Sequence, residues 1–258
     1  MDNINLASDL VGAAERGEIL AYYQPQLALA TGRIVAAEAL SRWKHPQFGM
    51  LSPSLFIPIA EETGLIHEVG GYMLADGCRT AARWQANELD IEVAVNVSAP
   101  QLATPRFFDD LGGHFDTLSL DPQNLTLEIT ESSVITDVPE VAARLETLRA
   151  LGVGVSIDDF GTGHSSIAQL LNLPATEMKI DQGLIRDDAP TNGALMAAVV
   201  GLVHARGLRV VAEGIETEDH LQRIRELGCD RAQGYLIGKP MPREELEQLV
   251  VAQRAAGA

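Results

Sequence analysis

Short apolar runs alternate with longer amphipathic stretches along most of this chain. From about residue 90 onward, runs rich in β-branched residues are separated by segments whose apolar residues recur at helical spacing. This rhythm is typical of βαβ units and predicts a parallel sheet. The predicted strands cover residues 91–97, 124–130, 153–157, 177–180, 208–212 and 231–232.

Two apolar segments precede this repeat and predict an antiparallel hairpin. They cover residues 19–29 and 33–40 and are joined by a short turn that contains Gly32. Further on, Ser52 and Pro53 predict a helix start, as N-cap and first helical residue. The hairpin and the six later strands make eight, the number that closes a TIM-type (β/α)8 barrel.

Length and composition fit one domain of this kind. The chain has 258 residues, of which 46% are hydrophobic, and no linker rich in Pro, Gly or Ser divides it. We therefore expect a single domain over residues 1–258, with a barrel core at about 19–250. No apolar run is long enough to cross a bilayer, and the first ten residues lack the features of a signal peptide, so we expect a soluble, cytoplasmic protein. Cys78 and Cys229 lie in no metal-binding or CxxC pattern and are expected to be free thiols in a reducing compartment.

The formal net charge of −17 bears on the class of ligand. Binding to a DNA or RNA polymer requires a basic surface, so this class of partner is not expected. A small phosphate ligand remains compatible with the charge if a bound metal supplies positive charge locally.

Polar residues recur where nearly all of the predicted strands end. They are Glu38, Asn96, Glu128, Asp158, Asp159, Lys179, Glu213 and Gln233. In a barrel, the carboxyl ends of the parallel strands form the active face. Asn96, Glu128 and Asp158 share the strand alternation of small or polar residues two positions earlier, so their side chains are predicted to point into the barrel mouth.

Several carboxylates in one mouth repel one another unless a cation neutralises them. This oxygen-rich set contains no His or Cys, which favours Mg²⁺ or Mn²⁺ over zinc, and Ca²⁺ could occupy the same site. The adjacent Asp158 and Asp159 are compatible with two ions acting on a phosphodiester. Lys179 would hold or activate water or stabilise developing negative charge; the alternative is a purely stabilising pair with a barrel carboxylate.

A series of motifs resembles the EAL domain family and runs from residue 23 to residue 240. The motifs are YQP (23–25), AEALSRW (37–43), VNVSAPQL (95–102), LEITES (127–132), DDFGTGHSS (158–166), KID (179–181), AEGIE (212–216) and QGYLIGKP (233–240). The sequence departs from the family's usual residues at Ile129, His164 and Thr176. None of these departures removes a residue of the expected site.

The resemblance implies a barrel whose first strand is antiparallel and an enzyme that hydrolyses cyclic di-GMP to linear pGpG. It implies two Mg²⁺ or Mn²⁺ ions as cofactors, with Ca²⁺ as an inhibitor. Carried over position by position, the metal ligands are Glu38, Asn96, Glu128, Asp158 and Asp159. Lys179 resembles the catalytic lysine, and Glu213 a further catalytic contact to metal or water.

The resemblance also assigns substrate contacts and the residues that anchor a loop. The substrate-contacting positions are Gln24, Leu40, Arg42, Asp181 and Gln233. Glu131 and Glu216 resemble acids that anchor the loop after Asp159. Because this loop supports metal binding and dimerisation in the family, a homodimer is a reasonable expectation.

Two other functions fit parts of the same pattern. Some family members have lost catalysis and act as cyclic di-GMP receptors or protein-interaction modules, but such members typically lack acids or the lysine that are all present here. A barrel enzyme of the enolase type would instead use a metal and Lys179 to abstract a proton beside a carboxylate. Formation of pGpG distinguishes the phosphodiesterase from both.

Overall fold

A computed structural model describes residues 6–130, 138–161, 173–186 and 190–256 of the chain. Within these ranges nine strands form one sheet. They are β1 (Ile19–Ala28), β2 (Arg33–His45), β3 (Gly49–Leu51), β4 (Glu92–Asn96), β5 (Leu125–Thr130), β6 (Gly154–Phe160), β7 (Glu177–Ile180), β8 (Arg209–Ala212) and β9 (Arg231–Gln233).

Eight of these strands close into a barrel. The strand order is β1-β9-β8-β7-β6-β5-β4-β2-β3, and an additional β1–β2 pairing joins the ends of the eight and leaves β3 outside. β1 is antiparallel to both β2 and β9, whereas the neighbouring pairs from β2 and β4 through to β9 are parallel. The predicted (β/α)8 barrel variant with an antiparallel first strand is therefore confirmed.

Helices surround the barrel. Those described are α1 (Leu6–Leu10), α2 (Pro53–Thr63), α3 (Ile66–Ala86), α4 (Ala99–Leu102), α5 (Pro105–Leu118), α6 (Val138–Ala150), α7 (Gln182–Arg186), α8 (Pro190–Ala205), α9 (Glu218–Leu227) and α10 (Arg243–Ala256). The predicted start of α2 at Pro53 is confirmed, with Ser52 in extended conformation before it. None of the described helices combines the length and apolar character that a membrane crossing requires.

The second strand is longer than the apolar pattern predicts. It continues from the expected end at residue 40 to His45, because Trp43 and His45 pair with β3 in an additional hairpin. The His45 ring Nδ1 accepts backbone hydrogen bonds from Gln47 (3.1 Å) and Phe48 (3.3 Å) and holds that turn. Polar residues within 41–45 interrupt the apolar pattern in the sequence, and only the pairing with β3 shows that the strand continues through them.

The hydrophobic core lies between the barrel wall and the helices. The strand residues Val95, Leu127 and Ile157, which alternate with the residues predicted to face the mouth, are all buried. Cys78 and Cys229 are free and buried, and burial raises the pKa of each thiol to about 12. Both cysteines therefore act as small core residues, as predicted.

Charged residues fill the end of the barrel opposite the mouth. This basal charge cluster consists of Glu92, Glu177, Arg209 and Arg231, all at or near the first residues of their strands. Arg231 Nη2 lies 2.8 Å from Glu92 Oε1, and Arg209 Nε lies 3.3 Å from Glu177 Oε2. These ion pairs balance the charge at the barrel floor, at the end opposite the mouth that the carboxyl ends of the parallel strands form.

Candidate active site

One buried lysine gathers four carboxylates at the barrel mouth. Lys179 Nζ lies 3.2 Å from Glu38 Oε2, 3.0 Å from Glu128 Oε2, 3.1 Å from Asp158 Oδ1 and 2.8 Å from Glu213 Oε1. The Lys179 side chain is 1% exposed. A single ammonium cannot neutralise four carboxylates, so the mouth retains an excess of negative charge.

Strand register brings these residues to one level. Gln24 on β1 stands opposite Glu38 on β2, and Asn96 on β4 stands beside Glu128 on β5. Glu213 directly follows β8, where its amide continues the ladder by donating to Ile180 O. The predicted strand-end residues thus converge because the closed barrel places the carboxyl ends of its parallel strands around one opening.

Two side-chain amides donate hydrogen bonds to Glu38. Asn96 Nδ2 donates to Glu38 Oε1 (2.6 Å), and Gln233 Nε2 donates to Glu38 Oε2 (2.6 Å) and to Gln24 Oε1 (3.2 Å). Behind them, Gln26 Nε2 donates to Gln233 Oε1 (2.9 Å). Gln26 was missed in the sequence analysis; its signal is its alternation with Gln24 on the strand of the YQP motif.

Burial and neighbouring charge determine the protonation of the cluster. Burial opposes the charge on Lys179, yet the surrounding carboxylates raise its pKa well above the usual range. Burial alone would raise the pKa of Glu38, but Lys179 and the donated amide hydrogen bonds lower it overall. The pKa of Glu128 is raised well above normal by burial and by the negative charge of Glu38. Glu128 differs from Glu38 because its Oε1 atom is buried and lacks a hydrogen-bond partner.

Burial also raises the pKa of Glu213 to about 8, against the opposing effect of Lys179. The pKa of Asp159 is raised by burial and by the adjacent charge of Asp158. These shifts share one physical cause, which is negative charge held in a partly desolvated site with too few cations. A bound cation would relieve them.

Two overlapping triads could hold metal ions. Glu38, Glu128 and Asp158 each offer a carboxylate oxygen, and these oxygens all lie within 4.8 Å of one another. Asp158, Asp159 and Glu213 form a second triad under the same limit, so Asp158 belongs to both. The unpartnered Glu128 Oε1 and the all-oxygen donor set fit a hard divalent cation.

Asp159 has an unusual backbone conformation. Its φ of 59° lies in the left-handed region, which is uncommon for a residue with a side chain. Its amide donates to Asp158 Oδ1 (2.9 Å), which fixes the turn between the two acids. The chain thereby presents two consecutive carboxylates to one opening, as ordinary strand alternation does not.

The acids of the two triads other than Glu128 line a cleft of about 380 Å³. Of the predicted substrate-contacting residues, Gln24, Leu40, Asp181 and Gln233 line it. Arg42 lies outside the lining; its guanidinium stands 5.6 Å from the centre of the Tyr22 ring. The roles of all five remain predictions.

Tyr235 and Gln182 also line this cleft and were not singled out in the sequence analysis. The Tyr235 side chain is exposed, with Lys239 Nζ 5.4 Å from its ring centre. Of the predicted loop anchors, Glu216 is an exposed residue of the cleft wall. Glu131 lies outside the described residues, as does His164 in the loop after Asp159.

A (β/α)8 barrel with an acidic, oxygen-rich mouth is the class of protein that the fold and the site define. Within that class the chain belongs to the EAL domain family, whose sequence profile matches residues 7–240.

Comparison with known sequences gives relatives from Pseudomonas aeruginosa. The chain is 42% identical over 248 residues to the bifunctional diguanylate cyclase/cyclic di-GMP phosphodiesterase MucR. The aligned region covers 95% of this chain and 36% of MucR. It is 40% identical over 242 residues to the cyclic di-GMP phosphodiesterase PA2567, covering 93% of this chain and 41% of that protein. The chain therefore spans less than half the length of either relative.

Solved structures agree with this assignment. The PaMucR phosphodiesterase in complex with c-di-GMP superimposes with a TM-score of 0.89 and 42% identity, covering 94% of this chain and 100% of that one. The EAL enzyme Bd1971, in a form with cAMP and cyclic di-GMP bound, has a TM-score of 0.89 and 30% identity, covering 96% of this chain and 69% of that one.

Proposed function

We propose that this chain is a metal-dependent phosphodiesterase that hydrolyses cyclic di-GMP to linear pGpG and so lowers signalling by this second messenger. The observation that carries the proposal is the pair of overlapping carboxylate triads beside Lys179. Membership of the EAL domain family and likeness to a relative solved with c-di-GMP support the choice of substrate.

Glu38, Glu128 and Asp158 would hold one divalent ion, together with the Oδ1 of Asn96, whose Nδ2 is committed to Glu38. Asp158, Asp159 and Glu213 would hold a second ion. We propose Mg²⁺ or Mn²⁺ because all of these donors are oxygens. Two such ions, when bound, supply positive charge that stabilises the phosphodiester and makes a nearby water a better nucleophile.

In the hydrolysis of one phosphodiester linkage, a water oxygen forms a bond to phosphorus. The bond from phosphorus to one ribose oxygen breaks, and that ribose oxygen takes up a proton. The second linkage stays intact, which gives pGpG. Lys179, surrounded by carboxylates, acts as a cationic hydrogen-bond donor that orients water or stabilises developing charge. Glu213 is the most exposed of its four partners, at 18%, and is placed to accept a hydrogen bond from water.

Two cavities suit a ligand with two bases. The acidic cleft meets a mainly apolar cavity of about 370 Å³ along Glu38 and Leu40. We propose that the scissile phosphate lies at this junction and that the two guanines extend to either side. Tyr235 offers an aromatic face to the base on the acidic side.

The test is incubation of the purified protein with cyclic di-GMP, with Mg²⁺ or Mn²⁺ and with EDTA, followed by separation of the nucleotides. Metal-dependent pGpG formation, absent in Glu38→Ala, supports the enzyme. Binding of cyclic di-GMP without product would instead indicate a receptor. If neither occurred, the proposed function would be wrong.

We also propose a homodimer through α8. The exposed face of this helix carries Ala194, Leu195, Ala198, Gly201 and Leu202 and no charged residue. Because the chain carries a net charge of −17, a second copy fits best where no acidic residues meet. Light scattering should give a dimer for the wild type and a monomer for Leu202→Glu, with the exposed Val251→Glu on α10 as control.

We propose that residues 1–258 act as one domain, and that the ligand is a dinucleotide and no nucleic-acid polymer, in keeping with the net charge of −17. The two free, buried thiols suit a reducing compartment, which favours action in the cytoplasm.

A further inference from the structure

Gln101 is a buried polar residue beside the candidate metal site and has no part in the chemistry described above. It is 4% exposed and lines the apolar cavity together with Asn96 and Ser98. Its Oε1 accepts hydrogen bonds from Ser98 N (3.2 Å) and Ser98 Oγ (3.0 Å). These contacts make Ser98 and Gln101 the two ends of a capping box at the start of α4.

This capping box fixes the backbone conformation just after Asn96, a candidate metal ligand. Asn96 ends β4, and α4 has only four residues, too few for a stable helix without external contacts. Val97 N donates to Glu128 O (2.8 Å), so the backbone between Asn96 and Ser98 is held from both sides. Asn96 itself is exposed, which means that packing alone does not fix its side chain.

Gly70 on α3 provides the space for Gln101. A Cβ atom at position 70 would overlap Gln101 Nε2 and lie 2.5 Å from its Cδ and Oε1 atoms. The neighbouring Gly71 has no heavy atom within 4 Å of the equivalent position. The contact with Gln101 therefore requires glycine at position 70 but not at position 71.

We propose that Gln101, seated against Gly70, is a positioning residue that sets the orientation of Asn96 for metal binding. This inference rests on the proposed function, because it assigns a metal to Asn96. Gln101 hydrogen-bonds to Ser98 and therefore acts on Asn96 through the backbone. Loss of a residue that supports a metal ligand typically changes metal affinity by about ten- to a hundredfold. Loss of Gln101 should therefore weaken metal binding without removing a ligand.

The experiment measures Mn²⁺ binding by the electron paramagnetic resonance signal of the free ion, with turnover and melting temperature recorded for each variant. Gln101→Ala and Gly70→Ala should each raise the Kd for Mn²⁺ by about ten- to a hundredfold, with turnover recovering at saturating Mn²⁺. Gly71→Ala makes the same change one residue away on α3 and should bind like the wild type. Gln101→Glu keeps the acceptor for Ser98 and should restore much of the lost affinity.

A double variant adds a further check. In Gly70→Ala/Gln101→Ala the new methyl group meets no glutamine, so the pair should bind Mn²⁺ as Gln101→Ala does, whereas independent effects would add. If Gln101→Ala bound Mn²⁺ like the wild type, or Gly70→Ala matched Gly71→Ala, the inference would be wrong while the proposed function stood. Absence of Mn²⁺ binding in the wild type would refute the proposed function as well.

Discussion

Glu177 and Lys179 stand two residues apart on β7, and their side chains face opposite ends of the barrel interior. Lys179 contacts four carboxylates at the mouth, whereas Glu177 lies 3.3 Å from Arg209 and 3.6 Å from Arg231 at the floor. One strand of four residues therefore joins the candidate active site to the basal charge cluster. The two clusters differ in charge balance. The floor pairs two acids with two bases, whereas the mouth has more acids than bases.

The first prediction concerns Lys179. Lys179→Met keeps the length of the side chain but removes its charge, so turnover should fall by at least about a hundredfold while cyclic di-GMP binding is partly retained. Four carboxylates then lack their counter-charge, and Mn²⁺ should raise the melting temperature of the variant more than that of the wild type. Product formation and thermal melts with and without Mn²⁺ measure both effects; full activity in this variant would contradict the assignment.

The second prediction separates the two triads. Calorimetric titration of the wild type should give two Mn²⁺ sites. Glu128→Gln should lose one site and Asp159→Asn the other, because each residue belongs to one triad. Asp158→Asn should impair both, since Asp158 is shared. Equal loss in all three variants would show that the ions do not bind as two separable sites.

The third prediction concerns the floor of the barrel. Glu92→Ala removes one of the two carboxylates that Arg231 and Arg209 share and leaves only Glu177. It should lower the free energy of unfolding by about 2–4 kcal/mol, a value reduced because Arg209 is partly exposed. The value of kcat/KM should be unchanged, as Glu92 lies at the opposite end from the mouth. Urea unfolding and steady-state kinetics measure the two effects, and a loss of kcat/KM in folded protein would argue against this separation.

The pH dependence of that stabilisation has a defined sign. Burial alone would raise the pKa of Glu92, but hydrogen bonds and charge from Arg231 and Arg209 lower it overall from its usual 4.5. Its stabilising effect is therefore present above pH 4.5 and is lost as the pH falls through the lower folded-state pKa. The difference in stability between the wild type and Glu92→Ala should shrink on acidification. A difference that grew would show that ionised Glu92 does not stabilise the fold through its ion pairs with Arg231 and Arg209.

The fourth prediction concerns Tyr235. Tyr235→Ala removes the exposed aromatic face of the cleft and should raise the KM for cyclic di-GMP by about 5- to 150-fold, the range expected for loss of one base-stacking contact, with a smaller change in kcat. Tyr235→Phe keeps the ring and should retain most of the affinity. A fall in kcat at unchanged KM would instead place Tyr235 in the chemical step.

Much of the site could be predicted without coordinates. Alternation along β4, β5 and β6 shows which side of each strand Asn96, Glu128 and Asp158 occupy, and strand ends in a barrel converge by geometry. The hairpin before the repeats likewise follows from local pattern. These features depend on residues close together in the chain, which is why the sequence by itself determines them.

Contacts between distant residues were decided by the tertiary structure alone. Gln26 and Gln233 are 207 residues apart and meet only because β1 pairs with β9 to close the barrel. The same closure joins Glu92 to Arg231 across 139 residues. Alternation along a strand indicates which face of the sheet a side chain lies on. The residue that it contacts depends on strand order and shear, which arise only when the whole barrel closes.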